Sequence, residues 1–194
     1  MFGDPVNAES KYPQMTLRDV CTTVQDGEHA TVKRVENGKL FISARNIKAD
    51  HQIILDTVTY VNEESYEKIR KRFFPQAGDI LLTCAGTIGN SAIVPPMPPF
   101  VADRGLTMLR PKSEIISTKY LHACITSDYV QSQMKQNVRA TALAHLYSKQ
   151  INAIKVIVPP LSLQKQFSTI IEQADKSKYV AQKATKNIRT YGIL

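Results

Sequence analysis

The stretch Ala77–Pro96, AGDILLTCAGTIGNSAIVPP, most constrains what this 194-residue chain can fold into. Ile80–Ala85 is a strand-like apolar run, and Ser91–Val94 favours β structure before Pro95 and Pro96 end it. Gly86 and Gly89 lie between the two runs, so the stretch reads as strand, glycine turn, strand. The same glycines invite a phosphate-binding reading, which the neighbouring residues exclude. A Walker-type loop needs Lys-Ser or Lys-Thr after its last glycine to meet phosphate and magnesium, whereas Gly89 is followed by Asn90 and Ser91. A dinucleotide fingerprint needs a third glycine opening a helix, and here the chain continues as a strand. The hairpin is therefore expected to be scaffold.

Further β-like runs occur at Thr31–Val35, Leu40–Ala44, Ile53–Tyr60, Leu106–Arg110 and Ile154–Val158, with Asn37-Gly38 between the first pair as a hairpin signal. Asn62 is placed to cap a helix that has Glu63 and Glu64 in its first turn and Arg70, Lys71 and Arg72 in its last, an order that suits the helix dipole. Ser117 or Thr118 opens a second helical stretch through Ile125, and Asp128 caps a continuation to about Asn137. The expected fold class is α+β: a mixed, largely antiparallel sheet domain with short helices over residues 1–160, then a long coiled-coil-type helix over 161–194. In that tail Phe167, Ile170, Ala174, Ser177, Ala181, Ala184, Ile188 and Tyr191 follow in steps of three and four, the seam of a coiled coil. Its small central residues permit close approach of a partner helix, so dimerisation through this stripe is expected. Packing of the stripe onto its own domain is the alternative.

Lysine and arginine outnumber aspartate and glutamate 25 to 17, a net charge of +8 that favours a polyanionic partner. Part of the excess is local: Lys33, Arg34, Lys39, Arg45 and Lys48 face only Glu36 between Thr31 and Lys48. Cys21, Cys84 and Cys124 are widely spaced among apolar neighbours, which suits buried thiols better than a disulfide framework. No apolar run has membrane-spanning length and Met1 opens no signal-peptide pattern, so a cytoplasmic protein with no membrane partner is expected. The histidines form no H-E-x-x-H pair, no C-x-x-C accompanies them, and no G-x-S-x-G elbow occurs. Asp79 and Asp103 do not make the acidic cluster that a metal-dependent nuclease requires. A chain with neither catalytic nor metal residues is expected, its competitors being a small DNA-processing enzyme and a pure assembly module.

The stretches LRDVCTTVQDGEHAT, FISARNIK, AGDILLTCAGTIGNSAIVP and INAIKVIVPPLSLQKQFSTIIEQADK stand in the order and spacing of a known family. They resemble the specificity (S) subunit of type I restriction-modification enzymes, over Leu17 to about Lys176. The resemblance implies a target recognition domain followed by a spacer helix, one half of the usual two-half subunit. It implies double-stranded DNA as ligand, and methylation (M) and restriction (R) subunits as partners. S-adenosylmethionine, ATP and magnesium would act on those subunits, with no cofactor in this chain. The opening MFGDPVNAESKYP resembles the segment between the two halves, so Met1 is expected to be an internal start.

Within that frame, candidate readers follow from base-edge chemistry: Arg or Lys for guanine, Asn or Gln for adenine, apolar contact for the thymine methyl. Asp26–Arg34 offers His29, Thr31, Lys33 and Arg34 after a turn glycine. Asn137–Gln150 offers Arg139, Thr141, His145, Tyr147, Ser148 and Lys149 in a loop between helices, with Ser148 and Lys149 suited to phosphate if Ser148 caps the next turn. Arg45 and Asn46 form a third group, while Arg104, beside Asp103, suits ion pairing as well as reading.

Overall fold

The structure, a computed structural model, describes residues 11–139, 144–171, 173, 174 and 177. In chain order it contains β1 (Gln14–Thr16), the one-turn α1 (Leu17–Val20), β2 (Cys21–Asp26), β3 (Arg34–Val35), β4 (Lys39–Ile42) and β5 (Thr59–Val61). Then come α2 (Glu63–Arg70), β6 (Ile80–Thr83), β7 (Ser91–Ile93), β8 (Phe100–Ala102) and β9 (Leu106–Pro111). The chain continues through α3 (Thr118–Thr126), α4 (Asp128–Arg139), α5 (Ser148–Ala153) and β10 (Lys155–Ile157), and a helix, α6, occupies residues 161–171. The α+β class expected from the sequence is the class observed.

The hairpin organises the rest. β6 and β7 pair antiparallel with Leu81 opposite Ala92, and the turn carries Gly86 at φ 70° and Gly89 at φ 94°, values that glycine tolerates best. β6 is the centre of an antiparallel sheet ordered β2-β9-β6-β7 and is buried along its whole length. Because side chains alternate across a strand, Ile80 and Leu82 enter one core with α3, α4 and α5, while Leu81 enters another with α2 and the second sheet. A strand buried on both faces must read as a continuous apolar run, as Ile80–Leu82 does. The second sheet, ordered β3-β5-β4-β8, is antiparallel except where β4 and β8 run parallel, Phe41 opposite Val101.

Two strand expectations are corrected. Asn37-Gly38 is not a hairpin turn: β3 and β4 lie on either side of β5, both pairing with Val61. The chain crosses so close to β5 that a Cβ on Gly38 would stand 2.3 Å from the Val61 carbonyl oxygen, so the glycine supplies proximity instead of a turn. The Ile53–Tyr60 run is strand only at its end, β5, with Ile53 making an isolated bridge to Ile47.

Two of the three expected helix caps form, whereas Asp128 is corrected: it is the first residue of α4, and Ser127 Oγ accepts the Val130 N–H at 3.4 Å in its place. Asn62 Oδ1 accepts the Ser65 N–H at 2.9 Å, and Ser117 Oγ accepts the Tyr120 N–H at 3.4 Å. α6 begins just after Pro159 and Pro160, and the fully buried Gln164 joins it to the body. Gln164 Oε1 accepts the Ser117 N–H, and its Nε2 donates to the Ile115 and Pro159 carbonyls, each at 2.9 Å. Phe167, assigned to the dimerisation seam, instead packs edge-on against Tyr120 at 5.5 Å between ring centroids, because the start of α6 lies on its own domain. Ile170 is 46 % exposed, and Ala174 and Ser177 are exposed as well. Ala181, Ala184, Ile188 and Tyr191 lie outside the described residues.

Candidate nucleic-acid interface

β2 and β6 end together in the first sheet and β4 and β8 together in the second, and the Glu28 N–H, donating to the Ala102 carbonyl at 2.8 Å, joins the two sets of ends on one side of the molecule. Asp26 opposes Thr107 and Thr83 opposes Leu106 in the first sheet, while Ile42 lies beside Ala102 in the second. The loops that leave these strands enclose an open cleft of about 620 Å³, lined by residues of 28–34, 43–45, 85–86 and 103–105. The glycine turn is thus one wall of a cleft built from loops on rigid sheet ends, an arrangement suited to presenting side chains to a large ligand.

His29, Thr31, Arg34 and Arg45, proposed from the sequence as readers, all line this cleft, and Arg104 joins them. Three arginines against Glu28 and Asp103 leave the cleft walls with an excess of positive charge. Arg34 is partly engaged. Its guanidinium stacks 3.8 Å above the Phe41 ring centroid and donates to the Val32 carbonyl at 2.6 Å and Thr59 Oγ1 at 3.1 Å. Partial burial there lowers its pKa from the ordinary guanidinium value. Burial raises the Asp103 pKa above the ordinary 3.8, opposed by the Gly105 N–H and by Arg34, Arg45 and Arg104. The Glu28 carboxylate is held low by the Ala30 N–H and by Arg72, whose Nη2 stands 3.6 Å away.

The remaining candidates separate. Lys33 is exposed on the loop that forms one wall. Asn46 is 1 % exposed and its amide is committed: Oδ1 accepts the Ser43 N–H at 2.9 Å, and Nδ2 donates to the Ile54 carbonyl at 3.0 Å. It shapes the 3-10 turn Ala44–Asn46 that carries Arg45 and shows no edge to a base. His145 bridges Ala85 on the hairpin side and stacks edge-on with the 48 % exposed Tyr147 at 4.7 Å, so this pair borders the cleft. Lys149 instead lines a groove with Arg18 and Asp19 of α1. The Arg139 side chain and Thr141 fall outside the described residues.

Ser148 is corrected as a cap. Tyr147 is the N-cap of α5, its N–H donating to Gln150 Oε1 at 2.9 Å, and Ser148 is the first helical residue. The Ser148 hydroxyl donates to Asp26 Oδ2, while Thr107 Oγ1 donates to Asp26 Oδ1 at 2.6 Å. A buried carboxylate needs such donors, and these two fasten the 144–149 segment to the end of β2. Sequence reasoning missed Asp26, whose partners lie 81 and 122 positions away.

The family described as type I restriction modification DNA specificity domain matches residues 9–188. A type I restriction enzyme specificity subunit of Haemophilus influenzae is 21 % identical over 115 residues, covering 59 % of this chain and 29 % of that protein. The HsdS subunit of Thermoanaerobacter tengcongensis superposes with a TM-score of 0.72 at 16 % identity, covering 97 % of this chain and 48 % of its own. The type I restriction-modification S subunit of M. genitalium superposes with a TM-score of 0.60 at 18 % identity, covering 95 % and 44 %. The chain thus spans about half the length of the solved subunits it resembles.

Proposed function

The chain belongs to the type I restriction modification DNA specificity domain family, and on that premise we propose that it recognises a short sequence in double-stranded DNA without catalysing any reaction on it. The observation that carries this reading is the convergence of loops from β2, β4, β6 and β8 on one arginine-lined cleft. A cation excess attracts the phosphate backbone, and loops on rigid strand ends hold side chains in register with base edges. On this reading residues 1–160 form the recognition domain for one half of a split target. The helix from 161 sets the distance to the other half and receives the methylation subunits. S-adenosylmethionine, ATP and magnesium act on the methylation and restriction subunits. Exposed Ile170, Ala174 and Ser177 support pairing of α6 with a second copy or another half-subunit. The chain would then act in the cytoplasm, where its DNA is.

Selection from random duplexes, with and without a methylation subunit, tests the proposal. Enrichment of a motif of a few base pairs supports it. Capture of the methylation subunit with no enriched motif would mean an assembly module, and strand cleavage by the chain alone would mean an enzyme.

A further inference from the structure

Arg104, which the sequence left between ion pairing and reading, lines the cleft beside Arg34 and Arg45. Its backbone is held from two sides: its N–H donates to the Glu28 carbonyl at 2.9 Å, and its carbonyl accepts the Cys84 thiol at 3.1 Å. Gly105 continues the anchorage, giving its N–H to Asp103 Oδ1 at 2.9 Å and accepting the Cys84 N–H at 2.9 Å. The segments that leave β2 and β6 thereby hold the β8–β9 turn that carries Arg104. The Arg104 side chain is nevertheless exposed, and among the described residues its guanidinium makes no hydrogen bond or ion pair. Arg34 differs, since Phe41 and Thr59 already occupy its head.

A fixed backbone under a guanidinium that makes no hydrogen bond among the described residues suits a ligand that demands geometry, because the five donors of arginine form a rigid fork. The surroundings distinguish between the two DNA groups that take such a fork. Glu28 and Asp103 line the same cleft, so a phosphate brought there would meet two carboxylates. A guanine edge offers O6 and N7 as acceptors, and the amino group of its paired cytosine is a donor that a carboxylate can accept.

Resting on the proposed function, we propose that Arg104 is a specificity-determining residue that reads a guanine in the major groove of the target. Arg104→Ala and Lys33→Ala are compared with the unaltered chain on the selected motif and on every single-position variant of it. Arg104→Ala is expected to lose about 5- to 150-fold of discrimination at one G·C position. It should keep the other preferences, the salt slope and the thermal unfolding midpoint. Lys33→Ala is expected to weaken all duplexes by one factor and to flatten the salt slope by about 1. If Arg104→Ala weakens every duplex equally, Arg104 holds phosphate and the inference is overturned. Unchanged affinity and preference overturn it as well. Absence of any base preference in the unaltered chain is a different result, which removes the proposed function and this inference with it.

Discussion

Replacing Gln164 with alanine should detach the start of α6 from the domain. The side chain is fully buried and makes three hydrogen bonds, to the Ser117 N–H and to the Ile115 and Pro159 carbonyls. At a net value of about 1 kcal/mol each they contribute about 3 kcal/mol, and leaving the Pro159 carbonyl stranded adds about 1–2 kcal/mol. The expected loss is therefore about 4–5 kcal/mol, large for a single substitution. Urea unfolding followed by far-UV circular dichroism measures it, with Lys165→Ala as the control. Lys165 is exposed next door, and its replacement should change stability by less than about 0.5 kcal/mol. A Gln164→Ala variant within about 1 kcal/mol of the unaltered chain would refute the reasoning that this amide fixes how α6 leaves the domain.

Three further perturbations probe the scaffold. Arg110 Nε and Nη2 donate to the two Asp79 oxygens at 2.8 and 2.7 Å, and Asp79 is 3 % exposed. Arg110→Met should therefore cost about 3–5 kcal/mol by stranding that carboxylate, and adding Asp79→Asn should restore part of it in a double-mutant cycle. Burial holds the His122 pKa below the ordinary 6.5, the Ser91 carbonyl opposes the shift, and His51 adds to it. The unfolded chain thus binds the proton first, so this stabilisation is complete above about pH 6.5 and is lost as pH falls through the lower folded value. Chemical denaturation at pH 7.5 and 5.5 should show part of the acid-side loss disappear in His122→Gln. Gly89→Val should destabilise by about 2–4 kcal/mol, because φ is 94° and a Cβ would stand 2.5 Å from Gln131 Oε1. Thermal melts check it, and a stable Gly89→Val chain that has lost DNA binding would return the glycine to a ligand role.

Local chemistry made much of the scaffold legible. The β6–β7 hairpin, the Asn62 and Ser117 caps and the helix after Pro159-Pro160 depend on residues within a few positions of one another. Long-range pairing hid the rest. β2 carries Thr22, Thr23 and Gln25 and becomes a strand because the buried β9 lies beside it, Val24 opposite Leu109. β8 lies between the proline-rich 95–99 segment and a turn, and its parallel pairing with β4 has no local signal. In the candidate site, the Thr31–Lys48 charge cluster pointed to the cleft wall that carries Arg34 and Arg45. Residue type could not separate Arg45, exposed in the cleft, from Asn46, whose amide is spent on the Ser43 and Ile54 backbone. The gathering of the loops after β2, β4, β6 and β8 follows from sheet order, which no short motif encodes.

The central claim is sequence-selective DNA binding, and a salt-resolved titration tests it most directly. The intact chain is titrated with a duplex carrying the selected motif and with one carrying the motif scrambled, from about 50 to about 200 mM salt. With about five phosphates contacted, log K should fall with a slope of about −4.5 in log salt. The motif duplex should bind more tightly throughout, each altered base pair costing about 1–3 kcal/mol. Equal affinity for the two duplexes at every salt concentration would contradict the account.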